Sequence, residues 1–196
     1  KVGVGERKGR RVVRTHLAAI LKDPEHRYLG LAAKRFPSPF SEFMPGANLF
    51  PALKRLAPNM TPVRAGPQEP LKIPGGIRLG TFVCYDAIRA SSPRRLARLG
   101  SDMLVFVTSD QWSGDPLESE QHLAASVVRA IENRQFLLRA GASGISAVID
   151  PAGRVARRLP LDRPGVIVEE VTRMDVRTFY AATGGLLYPL AALLML

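Results

Sequence analysis

The sequence has 196 residues, 46% hydrophobic and 23% charged, the balance of a globular chain with one sizeable core. Its formal net charge of +11 comes mostly from arginine, clustered at residues 7–14, 94–98 and 154–158. No cluster carries the interleaved aromatics of a single-strand platform, so nucleic acid is not the expected partner; the clusters face anionic lipid headgroups or keep a surface solvated.

The sequence opens on Lys1 rather than Met, has no apolar stretch behind its early basic residues, and ends inside an apolar run. It therefore reads as a piece of a longer protein, cut at both ends, with no signal peptide. Residues 1–11 are rich in glycine and charge and read as a loop. Gly3-Val4-Gly5-Glu6-Arg7-Lys8-Gly9 lacks both the preceding strand and the Gly-Lys-Ser/Thr ending of a phosphate loop. Residues 12–21 predict a strand, 22–25 a polar turn, and 27–33 a returning strand that ends at Lys34.

Seven prolines fall in residues 43–76, so regular structure there is short. Leu49, Phe50, Leu53 and Leu56 recur at helical spacing around Lys54 and Arg55. They predict a short helix packed on the core, or a mobile amphipathic arm that touches a membrane or a greasy substrate. After the turn signal Pro74-Gly75-Gly76, a β-prone run leads to Cys84, where strand gives way to helix. A lone thiol there is either a packed core residue or a nucleophile. One cysteine excludes an internal disulfide, and with His16, His26 and His122 at scattered spacing it gives no zinc signature.

Ser92 is the expected N-cap of a helix that stops at Gly100, and residues 102–108 predict a buried strand. A loop over 109–114 precedes a long helix over 117–140, with Leu123, Val127, Ile131 and Leu138 near one face and Gly141 as its stop. Strands follow at 144–150, 154–158 and 166–171. This order predicts an α/β sandwich rather than an all-parallel sheet. Residues 178–196 carry no charge, and with Tyr180 and Tyr188 as interfacial anchors they read as the start of a transmembrane helix; the alternative is a buried terminal helix. The expected division is a domain over 1–177 and an apolar segment over 178–196.

Thiol catalysis at a carbonyl needs a thiolate, a proton acceptor and a positive charge or donor pair where the oxyanion develops. His122 is one conceivable partner of Cys84, but it falls near the start of the long helix and no local signature of a Cys–His enzyme surrounds Cys84. A carboxylate–lysine–cysteine set fits better. Lys34 and Cys84 each end a predicted strand, and Glu42 lies eight residues beyond Lys34 behind two prolines.

Several pieces, in order, are similar to motifs of the carbon–nitrogen hydrolase (nitrilase) superfamily, and within it to apolipoprotein N-acyltransferases. They are Lys34 with Pro39-Phe40-Ser41-Glu42-Phe43-Met44-Pro45, Cys84-Tyr85-Asp86, Ser109-Asp110-Gln111-Trp112, Gln121-His122, Arg129-Ala130-Ile131-Glu132, Arg139-Ala140 through Ser146, and Asp150-Pro151-Ala152-Gly153. The resemblance implies a four-layer α-β-β-α sandwich and a Glu-Lys-Cys triad. By position, Cys84 is the nucleophile, Lys34 the oxyanion-stabilising ammonium, and Glu42 the carboxylate that orients Lys34. Tyr85, Asp86 and Trp112 line the pocket, and no cofactor or metal is implied.

The implied reaction moves an acyl chain from a phospholipid donor through a Cys84 thioester to the N-terminal amine of a diacylglyceryl lipoprotein. The implied location is the periplasmic side of a bacterial inner membrane. The alternative is a soluble nitrilase-type amidase. The family's first Glu, the general base, lies well before the Lys; Glu6 is too close, so the 196 residues alone are expected to be inactive. Asp86 stands where the acyltransferases have Glu, Ser41 where they have Gly, and Ser113 where they have an aromatic.

Overall fold

The computed structural model describes residues 2–8, 11–58, 60–110 and 114–186, with side chains from Thr15 onward. Its centre is a six-stranded sheet in the order β4 (Leu71–Lys72), β5 (Arg78–Val83), β6 (Met103–Thr108), β7 (Leu137–Gly141), β8 (Ser146–Ile149) and β9 (Val155–Leu159). The middle strands β5, β6 and β7 are parallel; β4 and β8 run antiparallel to them, and β9 reverses again beside β8. The β5–β6 connection carries helix α1 (Ser91–Arg98) and the β6–β7 connection carries α2 (Pro116–Asn133).

Strand alternation separates two faces. Phe82, Leu104, Phe106, Leu137 and Ile149 meet Leu96 of α1 and Leu123 and Ala130 of α2 in one buried core. Val83, Cys84 and Val107 instead face Ala19, in the middle strand of a second, three-stranded sheet. That sheet is the antiparallel meander β1 (Val2–Lys8), β2 (Arg11–Lys22) and β3 (Tyr28–Ala33). Small residues line its seam, with Ala18 opposite Ala33 and Ala19 opposite Ala32. At Ala19 this sheet packs on Val83 and Cys84 of the other, near where β3 ends before Lys34 and β5 ends before Cys84.

The mixed α/β fold agrees with the expectation, and five local readings are corrected. Residues 2–8 form an edge strand, not a loop; the backbone ladder to β2, from Val2↔Ala18 to Lys8↔Arg11, supplies what glycine-rich composition did not advertise. The long helix stops at Asn133, where Arg134 turns left-handed at φ 51°. Leu137–Gly141 is a strand held between β6 and β8, so Leu138 lies on no helix and Gly141 stops none. Ser92 does not cap α1; it is buried and donates to Gln68 Oε1 at 2.9 Å. Residues 166–171 form no strand, and Val166 and Val168 are exposed.

The fifth correction concerns the proline-rich segment. Pro51–Leu56 is a 3-10 turn with no buried residue, and Leu49, Phe50 and Leu56 are exposed, so this segment is not packed on the core. In the tail, α3 (Phe179–Thr183) breaks at Gly184 into a short turn that ends at Leu186. The rest of the expected membrane helix lies outside the described residues, among which no helix is long and apolar enough to cross a membrane.

Candidate active site

Lys34 follows the last residue of β3 and is fully buried. Its backbone N–H donates to Leu17 O at 2.7 Å, and its carbonyl accepts from the Gly66 N–H at 3.0 Å, which fixes the stem. The side chain has 0% exposure. A buried ammonium needs a counter-charge. Glu42 provides it with both oxygens, at 2.8 and 2.6 Å from Nζ, and Ser38 Oγ accepts a third hydrogen bond at 3.1 Å.

The loop between them is built to return Glu42 to Lys34. Phe40 takes a left-handed φ of 63°, its N–H donates to Phe43 O, and the Glu42 N–H donates to Ser38 O. The Ser38 N–H then donates to Glu42 Oε2 at 2.7 Å, so the carboxylate is held from two sides. Ser41, where the resembled motif has Gly, is accommodated because the left-handed position falls on Phe40.

Cys84 is the first residue of a 3-10 turn, Cys84–Ala87, immediately after β5. Its φ is +53°, a left-handed conformation that disfavours an L side chain. The strand on one side and the turn on the other impose that corner. The thiol is a free one with 9% exposure. Tyr85, the next residue, is half-buried.

Asp86 has a place that its position in the motif did not reveal. It is fully buried, and its carboxylate accepts from the backbone N–H groups of Arg35, Phe36 and Val83 and from Gln68 Nε2. Arg35 and Phe36 directly follow Lys34, and Val83 directly precedes Cys84. One carboxylate thus ties the Lys34 segment to the Cys84 corner. Burial pushes its pKa above the ordinary 3.8, while the N–H donors and the Lys34 charge pull it down.

Behind the same sheet end lies a second polar cluster. Arg139 on β7 donates through Nη2 to Asp110 Oδ2 at 2.6 Å and through Nε to Ile145 O at 2.8 Å, with its guanidinium over the Phe106 ring. Thr108 Oγ1 and His122 Nδ1 meet Asp110 Oδ1 at 2.9 and 3.1 Å. Burial would raise the Asp110 pKa, but the His122 hydrogen bond, the Arg139 charge and Thr108 outweigh it and hold the carboxyl below 3.8. Burial also lowers the proton affinity of Arg139, and Asp110 restores part of it.

His122 therefore belongs to this cluster. Its Nε2 has no hydrogen-bond partner among the described residues, Cys84 included, so the Cys–His pairing finds no geometric support. Asp110, Glu118 and His122 bring ligand atoms within 4.8 Å of one another, but the Arg139 guanidinium already supplies the positive charge there. Trp112, the remaining residue expected at the pocket, lies outside the described residues.

A cysteine at a strand-to-turn corner is tied through Asp86 to the segment of a buried lysine that a glutamate clamps. The chain belongs to the carbon–nitrogen hydrolase family, whose description it matches over residues 2–181. It is 33% identical over 167 residues to the apolipoprotein N-acyltransferase of Geobacter metallireducens, covering 85% of this chain and 32% of that protein. It is 35% identical over 160 residues to the apolipoprotein N-acyltransferase of Gloeobacter violaceus, covering 81% and 30%. The chain thus spans about a third of the length of these curated relatives. Among solved structures it resembles a carbon-nitrogen hydrolase from Helicobacter pylori G27, with a TM-score of 0.56 at 17% identity over 81% of this chain and 56% of that one, a likeness of fold.

Proposed function

We propose that the protein is an N-acyltransferase that moves an acyl chain from a phospholipid to the N-terminal amine of a diacylglyceryl lipoprotein. The observation that carries this reading is the fully buried Lys34 ammonium, gripped by both Glu42 oxygens and tied through Asp86 to the Cys84 corner. The names of the relatives at 33% and 35% identity support the choice of acyl donor and acceptor.

In this reading the Cys84 thiolate attacks the ester carbonyl carbon. A C–S bond forms while the carbonyl π electrons move to oxygen, and the Lys34 ammonium stabilises that oxyanion. Collapse breaks the C–O bond, and the lysophospholipid oxygen takes up the proton that the thiol gave to a general base. The acceptor amine then attacks the thioester, forms the C–N bond and expels the Cys84 thiolate, and its surplus proton passes through the general base back to that thiolate. Glu42 keeps Lys34 charged and aimed. Asp86 acts as a positioning residue rather than as a pocket wall, and Tyr85 and Trp112 border the acyl site. The general base is the family's first Glu, for which residues 1–33 hold no counterpart.

The proposal extends to architecture and place. Residues 1–177 are the catalytic unit of a four-layer sandwich, and residues 178–196 lead into the membrane. The site works on the periplasmic side of a bacterial inner membrane. The intact mass of the Cys84 peptide tests the reading in the full-length protein. An acyl adduct that forms with phospholipid and vanishes on adding a lipopeptide amine is expected. An unmodified Cys84 in folded protein that releases ammonia from small amides would replace it with a nitrilase-type amidase.

A further inference from the structure

Arg78 opens β5 and Cys84 follows its last residue, so the strand separates them by roughly 20 Å. At the Arg78 end a cavity of about 380 Å³ opens between β5, the end of α1 and the 173–182 segment. Four arginines line it, Arg78, Arg98, Arg173 and Arg177, together with Asp102 and Asp175. Asp102 is buried and already engaged: Arg173 Nε meets its Oδ1 at 2.8 Å, and the Arg78 backbone N–H donates to its Oδ2 at 2.7 Å.

The guanidinium groups of Arg78, Arg98 and Arg177 have no ion-pair or hydrogen-bond partner among the described residues. Gly100, at φ +85°, leaves the room that the Arg78 head group occupies; a Cβ there would lie 2.6 Å from Nη2. Cations gathered around one cavity repel each other unless an anion joins them. A tetrahedral phosphate presents oxygens in several directions and can engage several planar guanidinium forks at once, whereas a carboxylate presents one edge.

We propose that this cavity binds a phosphate group through Arg78, Arg98 and Arg177, at a site separate from the Cys84 corner. Ala181 and Ala182 line the same cavity and belong to the uncharged stretch of residues 178–196. A phospholipid headgroup beside that stretch and a free phosphate in solution are two sources of the same chemistry. The headgroup source rests on the membrane reading above; the arginine cavity does not.

The test compares the full-length protein with its Arg98→Gln/Arg177→Gln variant, both positions being exposed and outside the proposed catalytic machinery. Native mass spectrometry reads retained dioleoyl phosphatidylglycerol, and calorimetry reads inorganic phosphate. A loss of at least fivefold in the variant is expected for one of the two ligands, with Cys84 acylation unchanged. Loss of lipid retention that millimolar phosphate does not reproduce in the wild type assigns the headgroup; loss of phosphate binding, with lipid displaced by phosphate, assigns the free ion. Equal binding of both ligands by wild type and variant would overturn the proposal. Arginine-dependent binding without any Cys84 acyl adduct would leave this site standing and remove the acyltransferase reading alone.

Discussion

At Lys34, position and charge are inseparable. The ammonium is enclosed by protein, and Glu42 is its one ion-pair partner among the described residues, so removing either partner strands the other. Glu42→Gln is expected to cost about 3–5 kcal/mol of stability and to abolish the proposed acyl transfer. Lys34→Met is expected to cost a similar amount. The double variant is expected to lose less than the sum of the two, because neither charge is then left unpaired. Urea denaturation of the full cycle checks this; a coupling below about 1 kcal/mol would show that the pair is not interdependent.

Asp86 makes a different prediction, because its pKa is raised. The native state holds the Asp86 proton at a pH where the unfolded chain has released it. Its contribution is therefore fully present below 3.8 and lost as the pH rises through the native value. Asp86→Asn is expected to remove that decline while costing about 2 kcal/mol, since an amide offers fewer acceptor sites to its four donors. Denaturation midpoints from pH 3.5 to 6.5 read both effects, and an unchanged slope in the variant would rule out Asp86 as the source.

Between elements, the Arg139–Asp110 pair fastens β7 to the end of β6, and His122 brings in α2. Asp110 has the opposite sign from Asp86: its depressed pKa gives stability that is present above 3.8 and lost as the pH falls toward the native value. Arg139→Leu is expected to cost about 3–5 kcal/mol at pH 7, by leaving Asp110 buried and unpaired, and to flatten the loss on acidification. Unfolding midpoints at pH 7 and pH 3 compare the two chains; an equally steep acid loss in the variant would place the dependence elsewhere.

What the sequence made legible at this scale follows from local physics. The Gly75-Gly76 turn and the β-prone run behind it marked the Cys84 strand, and the strand ending at Lys34 was visible from its apolar content. β7 was not visible, because Leu-Leu-Arg-Ala-Gly contains no β-branched residue and continues the helical pattern of α2. Its neighbours β6 and β8 decide the matter, and they are distant in sequence. The tie that Asp86 makes was not visible for the same reason, since Arg35 and Phe36, two of its three backbone partners, lie about fifty positions upstream.

At the scale of the whole molecule, one group of exposed apolar side chains falls close together in sequence. Phe40, Leu49, Phe50 and Leu56 are exposed, with Leu49 at 80%, on the segment that carries Glu42 and leads away from the Lys34 corner. Lys54 and Arg55 stand beside them in the last turn of the 3-10 segment. Apolar side chains flanked by cations suit an interface where hydrocarbon meets charged headgroups better than they suit water. Because Leu49, Phe50 and Leu56 are not in the core, replacing them should separate binding from folding. Leu49→Ser/Phe50→Ser/Leu56→Ser is expected to weaken partition into anionic vesicles at least tenfold, since each side chain contributes up to about 1.5–3 kcal/mol when fully removed from water. Its thermal unfolding should match that of the parent chain. Vesicle sedimentation and circular dichroism measure the two quantities side by side. Unchanged partition would show that this arm meets no membrane, whereas a lowered melting temperature would mean that it packs more closely than its exposure indicates.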